Sequence, residues 1–211
     1  MRILVVTSVP AETEAVGSGE GVTVVTAGIG RTNAAATVTE AIVRGGGAYD
    51  AVLDAGVAGS LPDAALALGE AVVATACVYA EEGLVTPAGW LDMTGLGFGL
   101  GDFEGNAVPV DAGLLGRLEP RFRCGPVATV ATCSGTDAAA REVVRRTGAI
   151  AEAMEGAAVV HAARRLGVPA IELRVISNTT GDRDRQQWDL RGALESLGTS
   201  VRTALAAMDR S

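Results

Sequence analysis

Ala151-Glu152-Ala153-Met154-Glu155-Gly156-Ala157-Ala158 reads as a short extended piece turning into a helix, and the rest of the chain is organised around this helix and the strand after it. Val159, Ala162, Ala163 and Leu166 recur at three- and four-residue spacing, one apolar helical stripe. Gly167 and Pro169 end that helix in the order expected of a C-terminus. Ala170-Ile171-Glu172-Leu173-Arg174-Val175-Ile176-Ser177 then reads as a strand, with Ile171, Leu173 and Val175 on one face. Glu172 and Arg174 are neighbours on the other face. The strand empties into the polar loop Asn178-Thr179-Thr180-Gly181-Asp182-Arg183-Asp184-Arg185, closed by Trp188. One carboxylate, Glu155, thus enters a helix, and one amide, Asn178, leaves the following strand. Ligands of open α/β sheets bind outside the carboxyl ends of strands, which makes this loop a natural site.

Working outward, residues 2–8 form a strand whose Ile3-Leu4-Val5-Val6 run suits burial on both faces. It leads through Val9-Pro10-Ala11-Glu12 into a helix, so Glu12 lies just past the strand's carboxyl end. Glu12 reads equally as a surface acid favourable to the helix dipole or as a functional group. Val22 to Ala27 is a second strand, followed by Gly28-Ile29-Gly30-Arg31-Thr32-Asn33 and an Ala-rich helix to about Arg44. Glycines there can bring backbone N–H groups to a ligand, and equally make a plain strand-to-helix corner. Ala51 to Ala55 is a third strand, ending in the small-residue run Gly56-Val57-Ala58-Gly59-Ser60. Gly69 to Ala80 is a long strand, and the Gly-rich residues 83–109, with Trp90, Phe98 and Phe103, read as a long excursion. A helix near Asp111 to Leu118, a strand from Pro126 to Thr132, and a helix capped by Thr136 or Asp137 follow. A last amphipathic helix spans Asp189 to Met208. Strands alternating with helices predict one α/β domain over residues 1–211, a three-layer fold with a twisted, mainly parallel but mixed central sheet and helices on both faces.

The net charge of −8 leaves no basic stripe for phosphates, which argues against nucleic acid as a partner. No signal segment and no apolar run of spanning length is expected, so the reading is a cytoplasmic protein without a membrane partner. Cys77, Cys124 and Cys133 lack the close spacing of metal or redox pairs and are read as reduced, mostly buried thiols. The single histidine, His161, shares a helix stripe with Arg164 and Arg165 and is read as part of a polar face rather than a catalyst. No metal and no cofactor are expected.

Five pieces together resemble the nucleoside phosphorylase and nucleosidase superfamily: the first-strand loop with Glu12; Gly28-Ile29-Gly30; Gly56-Val57-Ala58-Gly59; Met154-Glu155; and Arg174-Val175-Ile176-Ser177-Asn178. The resemblance covers nearly the whole chain and points to the methylthioadenosine/S-adenosylhomocysteine nucleosidases and, beside them, the futalosine hydrolases. It implies cleavage of the N-glycosidic bond between a purine and a ribose, and a homodimer or larger homo-oligomer. It also implies that Glu12 is the general base that activates water, and that Glu155 accepts hydrogen bonds from the ribose hydroxyls. Ser134 and Met154 would line the nucleoside cleft, Ile29 and Gly59 would lie against substrate, and Ser177 would support the base-contacting position.

Two departures from the family sharpen the expectation. Where the adenine-specific nucleosidases have aspartate, this chain has Asn178, which cannot act as an acid but can donate from its NH₂ to a six-position carbonyl. That favours a 6-oxopurine such as hypoxanthine. Where superfamily phosphorylases place a phosphate-binding arginine, this chain has Asp54, so water rather than phosphate is the expected nucleophile, with Arg31 the one cation able to reverse this. The loop from Asn178 through Trp188 is similar to that of the futalosine hydrolases, which act in the futalosine route to menaquinone. They release hypoxanthine from a nucleoside bearing a 5′ carboxyphenyl group, which Arg183 or Arg185 would meet, while Trp188 or Phe98 would stack on its ring or on the base. The arginines are equally read as a surface ion-pair cluster with Asp182 and Asp184. Three functions stay open: a futalosine hydrolase, another purine nucleosidase or phosphorylase (acting on inosine, for instance), and a nucleoside-binding protein without turnover.

Overall fold

All five residues of β1 (Ile3–Thr7) are buried, as the unbroken apolar run demands. The computed structural model describes residues 1–209 of the chain. β1 leads to α1 (Pro10–Val16), β2 (Val22–Thr26) and α2 (Arg31–Arg44). Then come β3 (Ala51–Ser60), β4 (Ala71–Tyr79), the hairpin β5 (Gly83–Thr86) and β6 (Gly89–Asp92), and the short β7 (Ala107–Pro109). The second half holds α3 (Ala112–Leu118), β8 (Arg123–Thr129), α4 (Asp137–Thr147), β9 (Ala151–Ala153), α5 (Gly156–Arg165), β10 (Ala170–Thr179) and α6 (Leu190–Met208).

The fold is mixed α/β with helices on both faces: α2 and α5 pack together, while α6 packs with α1, α3 and β10. Parallel pairing dominates, and β10–β4, β3–β9 and β4–β7 are antiparallel. The expected layered sheet is corrected in one respect: it closes. β10 pairs with both β3 and β4, and the order β10-β4-β8-β9-β3 therefore returns on itself as a barrel-like ring, with β1 and β2 continuing from β3. Closure changes what a strand pattern means, because residues on the inner face of a ring are as buried as those under a helix.

β3 is the hub. It runs to Ser60, whereas the expected strand ended at Ala55 and the small-residue run after it was read as a corner. Its Ala51–Asp54 half pairs with β1 and its last two residues, Gly59 and Ser60, pair with β9. Between these two partners its backbone is left open for other groups. The excursion 83–109, read as loop, contains β5, β6 and β7, and β8 starts three residues earlier than the expected Pro126.

Candidate active site

Glu12 occupies the third position of α1, where a carboxylate can turn back to the free N–H groups of a helix start. Its Oε2 accepts from the backbone N–H of Ser8 at 2.8 Å and of Val9 at 3.3 Å. Its Oε1 accepts from Val57 N–H at 2.9 Å, in the open stretch of β3. The side chain is buried, which answers the surface-acid reading. Gly56 is needed beside it, because a Cβ there would lie 2.7 Å from Oε1.

Glu155 sits at the start of α5 and is buried as well. Its Oε1 accepts from Gly30 N–H at 2.9 Å, and its Oε2 from Met154 N–H at 3.3 Å. Gly28 and Gly30 adopt φ of 89° and 92°, a region open to glycine, and this is how the corner before α2 turns its amide toward an acid. The anion it holds is the protein's own Glu155.

Between these two acids lies Arg174, fully buried on β10. Its Nε donates to Glu172 at 2.8 Å, one Nη pairs with Asp54, and the other Nη stands 3.6 Å from Glu155 Oε2. Burial pushes the Asp54 carboxyl well above the usual range, and the Arg174 charge pulls against that shift. Asp54 Oδ1 and Glu172 Oε2 have no hydrogen-bond partner among the described residues. Asp54, expected as an acid that would repel phosphate, instead faces inward onto this guanidinium. Gly156, the first residue of α5, gives Glu172 its room, since the carboxylate fills the place of a Cβ.

Toward the C-terminal end of β3 a cleft of about 250 Å³ is lined by Gly59, Cys133, Ser134, Glu152, Asn178, Arg183, Gln186 and Trp188. The Asn178 amide is oriented by its own neighbours: Ser177 Oγ–H donates to Oδ1 at 2.9 Å, and Nδ2 donates to Thr179 O at 3.0 Å. Trp188 bridges back to Asn178 across the loop, its ring under the Arg183 guanidinium at 4.7 Å. Arg185 instead pairs with Asp137 and Asp182 on the surface, while Arg183 lines the cleft and donates to Gln186 Oε1 at 2.9 Å. A larger cleft of about 540 Å³ beside α6, lined by Glu14, Val16 and Leu205, holds none of these groups.

Other expected residues fall elsewhere. Phe98 is 67% exposed on the excursion and does not line the Asn178 cleft, and Ile29 is exposed on its glycine corner. Arg31 is engaged by Glu81 and Glu82. His161 is not a plain polar face: Tyr79 and Phe103 pack edge-on against it, and burial lowers its pKa. Cys77 is buried, but Cys133 is exposed, contrary to the expectation of mostly buried thiols. Two groups went unrecognised in the sequence: the Arg174–Asp54–Glu172 cluster and Glu152. The alternating pattern of Glu172 and Arg174 was visible, but only ring closure makes that face an interior.

Comparison with known proteins adds the lineage. The sequence model of the phosphorylase superfamily matches residues 11–210. The futalosine hydrolase of Streptomyces coelicolor is 37% identical, over 95% of this chain and 94% of that protein. The futalosine hydrolase of Acidothermus cellulolyticus is 42% identical over 71% of this chain, and the match spans 62% of that protein's length. Among solved structures, the futalosine hydrolase of Helicobacter pylori superposes with a TM-score of 0.79 at 19% identity, covering 97% of each chain, a likeness of fold. The chain belongs to the phosphorylase superfamily and, within it, to the futalosine hydrolase family.

Proposed function

We propose that this protein, as a single nucleosidase domain, hydrolyses the N-glycosidic bond of futalosine and releases hypoxanthine, a step in menaquinone biosynthesis. The observation that carries this reading is the relation to a futalosine hydrolase over nearly the full length of both chains. The buried acids support it. An ionised carboxylate has about four acceptor positions, and three backbone N–H groups fill three of those on Glu12. The remaining one lies on Oε1, the position left to take a proton from the attacking water. Glu155 keeps two positions for the ribose hydroxyls. As the C–N bond breaks, the ribose becomes cationic, and the carboxylates of Glu12 and Glu155 are the acids aimed at that charge. The bond's electron pair leaves with the base, eased by the Asn178 N–H at its six-position oxygen, and the departing anion takes a proton from solvent to become hypoxanthine. Trp188, with Arg183 over it, lines the same cleft as Asn178 and offers an aromatic face to the base.

Hydrolysis rather than phosphorolysis rests on the cations being committed: Arg174 is enclosed by carboxylates and Arg31 is paired with two. The free sugar is therefore the expected product, at a rate independent of added phosphate. A sugar 1-phosphate detected by chromatography would overturn this. The exposed Leu84, Val85, Leu91 and Phe98 support a homo-oligomeric working form, and three free thiols fit a reducing cytoplasm. No helix among the described residues is long and apolar enough to cross a membrane.

The test of substrate choice is Asn178→Asp, assayed as kcat/KM on futalosine and on its 6-amino counterpart, aminofutalosine. Wild type is expected to prefer futalosine, since a 6-amino group would meet the Asn178 donor with another donor. A stranded buried hydrogen bond costs about 1–3 kcal/mol, or about ten- to a hundredfold in rate. The aspartate accepts from the amino group, so the preference shifts toward aminofutalosine. An unchanged ratio would remove Asn178 from the base.

A further inference from the structure

Glu152 has no part in the bond cleavage, yet it is a buried acid facing the same cleft as Asn178. The strand registers explain its position. Gly59 of β3 is the Cα partner of Glu152 in β9 and of Asn178 in β10. In-register residues on neighbouring strands point to the same face, so a carboxylate and an amide rise on either side of a residue without a side chain. A Cβ on Gly59 would stand 2.8 Å from Thr180 Cγ2, 3.1 Å from Asn178 Nδ2 and 3.6 Å from Glu152 Cγ, so the Thr180 methyl floors the gap and the two polar side chains stand on either side above it. With strands about 4.8 Å apart, the flanking Cα atoms are about 10 Å apart, a slot able to take the edge of a flat heterocycle. Ser134 holds the acid in place, its N–H donating to Oε1 at 2.7 Å and its Oγ–H to Oε2 at 2.6 Å. Each oxygen keeps a free acceptor position.

A 6-oxopurine presents an acceptor, O6, next to a donor, N1–H. A 6-aminopurine presents the reverse, a donor next to the bare acceptor N1. We propose that Glu152 is the second reader of the base, its carboxylate accepting N1–H while Asn178 donates to O6 across Gly59. This rests on the reading of the substrate as a hypoxanthine nucleoside. It assigns to one row of three strands a complete donor–acceptor pattern, matched at both positions by hypoxanthine and opposed at both by adenine. Ser134, expected simply to line the cleft, becomes the residue that fixes the acid's geometry.

The experiment has two arms. In the first, kcat/KM is measured for wild type and Glu152→Gln on futalosine and aminofutalosine. The variant should lose about ten- to a hundredfold on futalosine, chiefly through KM, and gain on aminofutalosine, because the amide NH₂ can donate to the bare N1 that the carboxylate opposes. Equal losses on both substrates, or no loss on futalosine, would overturn the proposal. In the second, free hypoxanthine and 1-methylhypoxanthine compete for wild-type enzyme, and the methylated base should bind at least about tenfold more weakly. Equal binding of the two bases overturns the proposal whether or not the variant folds. Failure of wild type to release hypoxanthine from futalosine would instead sink the substrate reading, and the free-base arm would still decide the role of Glu152.

Discussion

Glu12→Gln is expected to lower kcat by roughly two orders of magnitude or more, with substrate binding largely retained. The amide keeps the shape of the side chain and removes its ability to take a proton from water. The local geometry adds a secondary effect. Both carboxylate oxygens accept backbone N–H groups, from Ser8 and Val9 on one side and Val57 on the other. An amide can accept on one side only, and its NH₂ must then face another donor, at a cost of about 1–3 kcal/mol in stability. Turnover should be compared at a temperature where circular dichroism shows the variant folded. Near-normal kcat there would move the base to another residue.

The second large effect is structural. Arg174→Met should cost about 3–5 kcal/mol, because removing the cation leaves Asp54 and Glu172 buried without compensation. That is a large share of the 5–15 kcal/mol typical of a folded domain. Chemical denaturation measures it directly, and a loss below about 1 kcal/mol would show that the guanidinium does not hold the two acids together. The pH dependence has a definite sign. The folded-state pKa of Asp54 is raised, so any stability linked to its proton is present at low pH and lost as pH rises through that value. Without the Arg174 charge the pKa climbs further, and the deficit of the variant should narrow on acidification. Adding Asp54→Asn and Glu172→Gln to the variant should restore part of the loss.

The positions of Glu12 after β1 and Asn178 near the end of β10 were legible because their markers are local, while the roles expected of them came from the family resemblance. β3 was misjudged for a physical reason. Gly56, Ala58 and Gly59 read as a turn by propensity, yet they are strand residues, and the two glycines are kept bare by what lies over them: Arg174 and Glu12 above Gly56, Thr180 and Asn178 above Gly59. Glu172 and Arg174 fit a half-solvated strand equally well, and the closing pair β10–β3 is what buries them. Glu152 gave no signal of its own, since its meaning lies in the register between three strands far apart in sequence. Phe98, the exposed aromatic of the excursion, shows the converse: an aromatic in a functional-looking loop need not line the cleft of the residues it was grouped with.

The placement of β10 also governs when the site comes into being. This strand lies between β3 and β4, which leave the ribosome more than ninety residues earlier. Until Ala170–Thr179 emerges, the ring has a gap, Asp54 has no guanidinium to face and the slot beside Gly59 has one wall. Contacts of such long sequence separation form late, after a loop-closure cost that local elements never meet. The nascent chain thus lacks the strand that closes its ring through most of its synthesis, and that same strand brings Asn178 to the cleft beside Gly59.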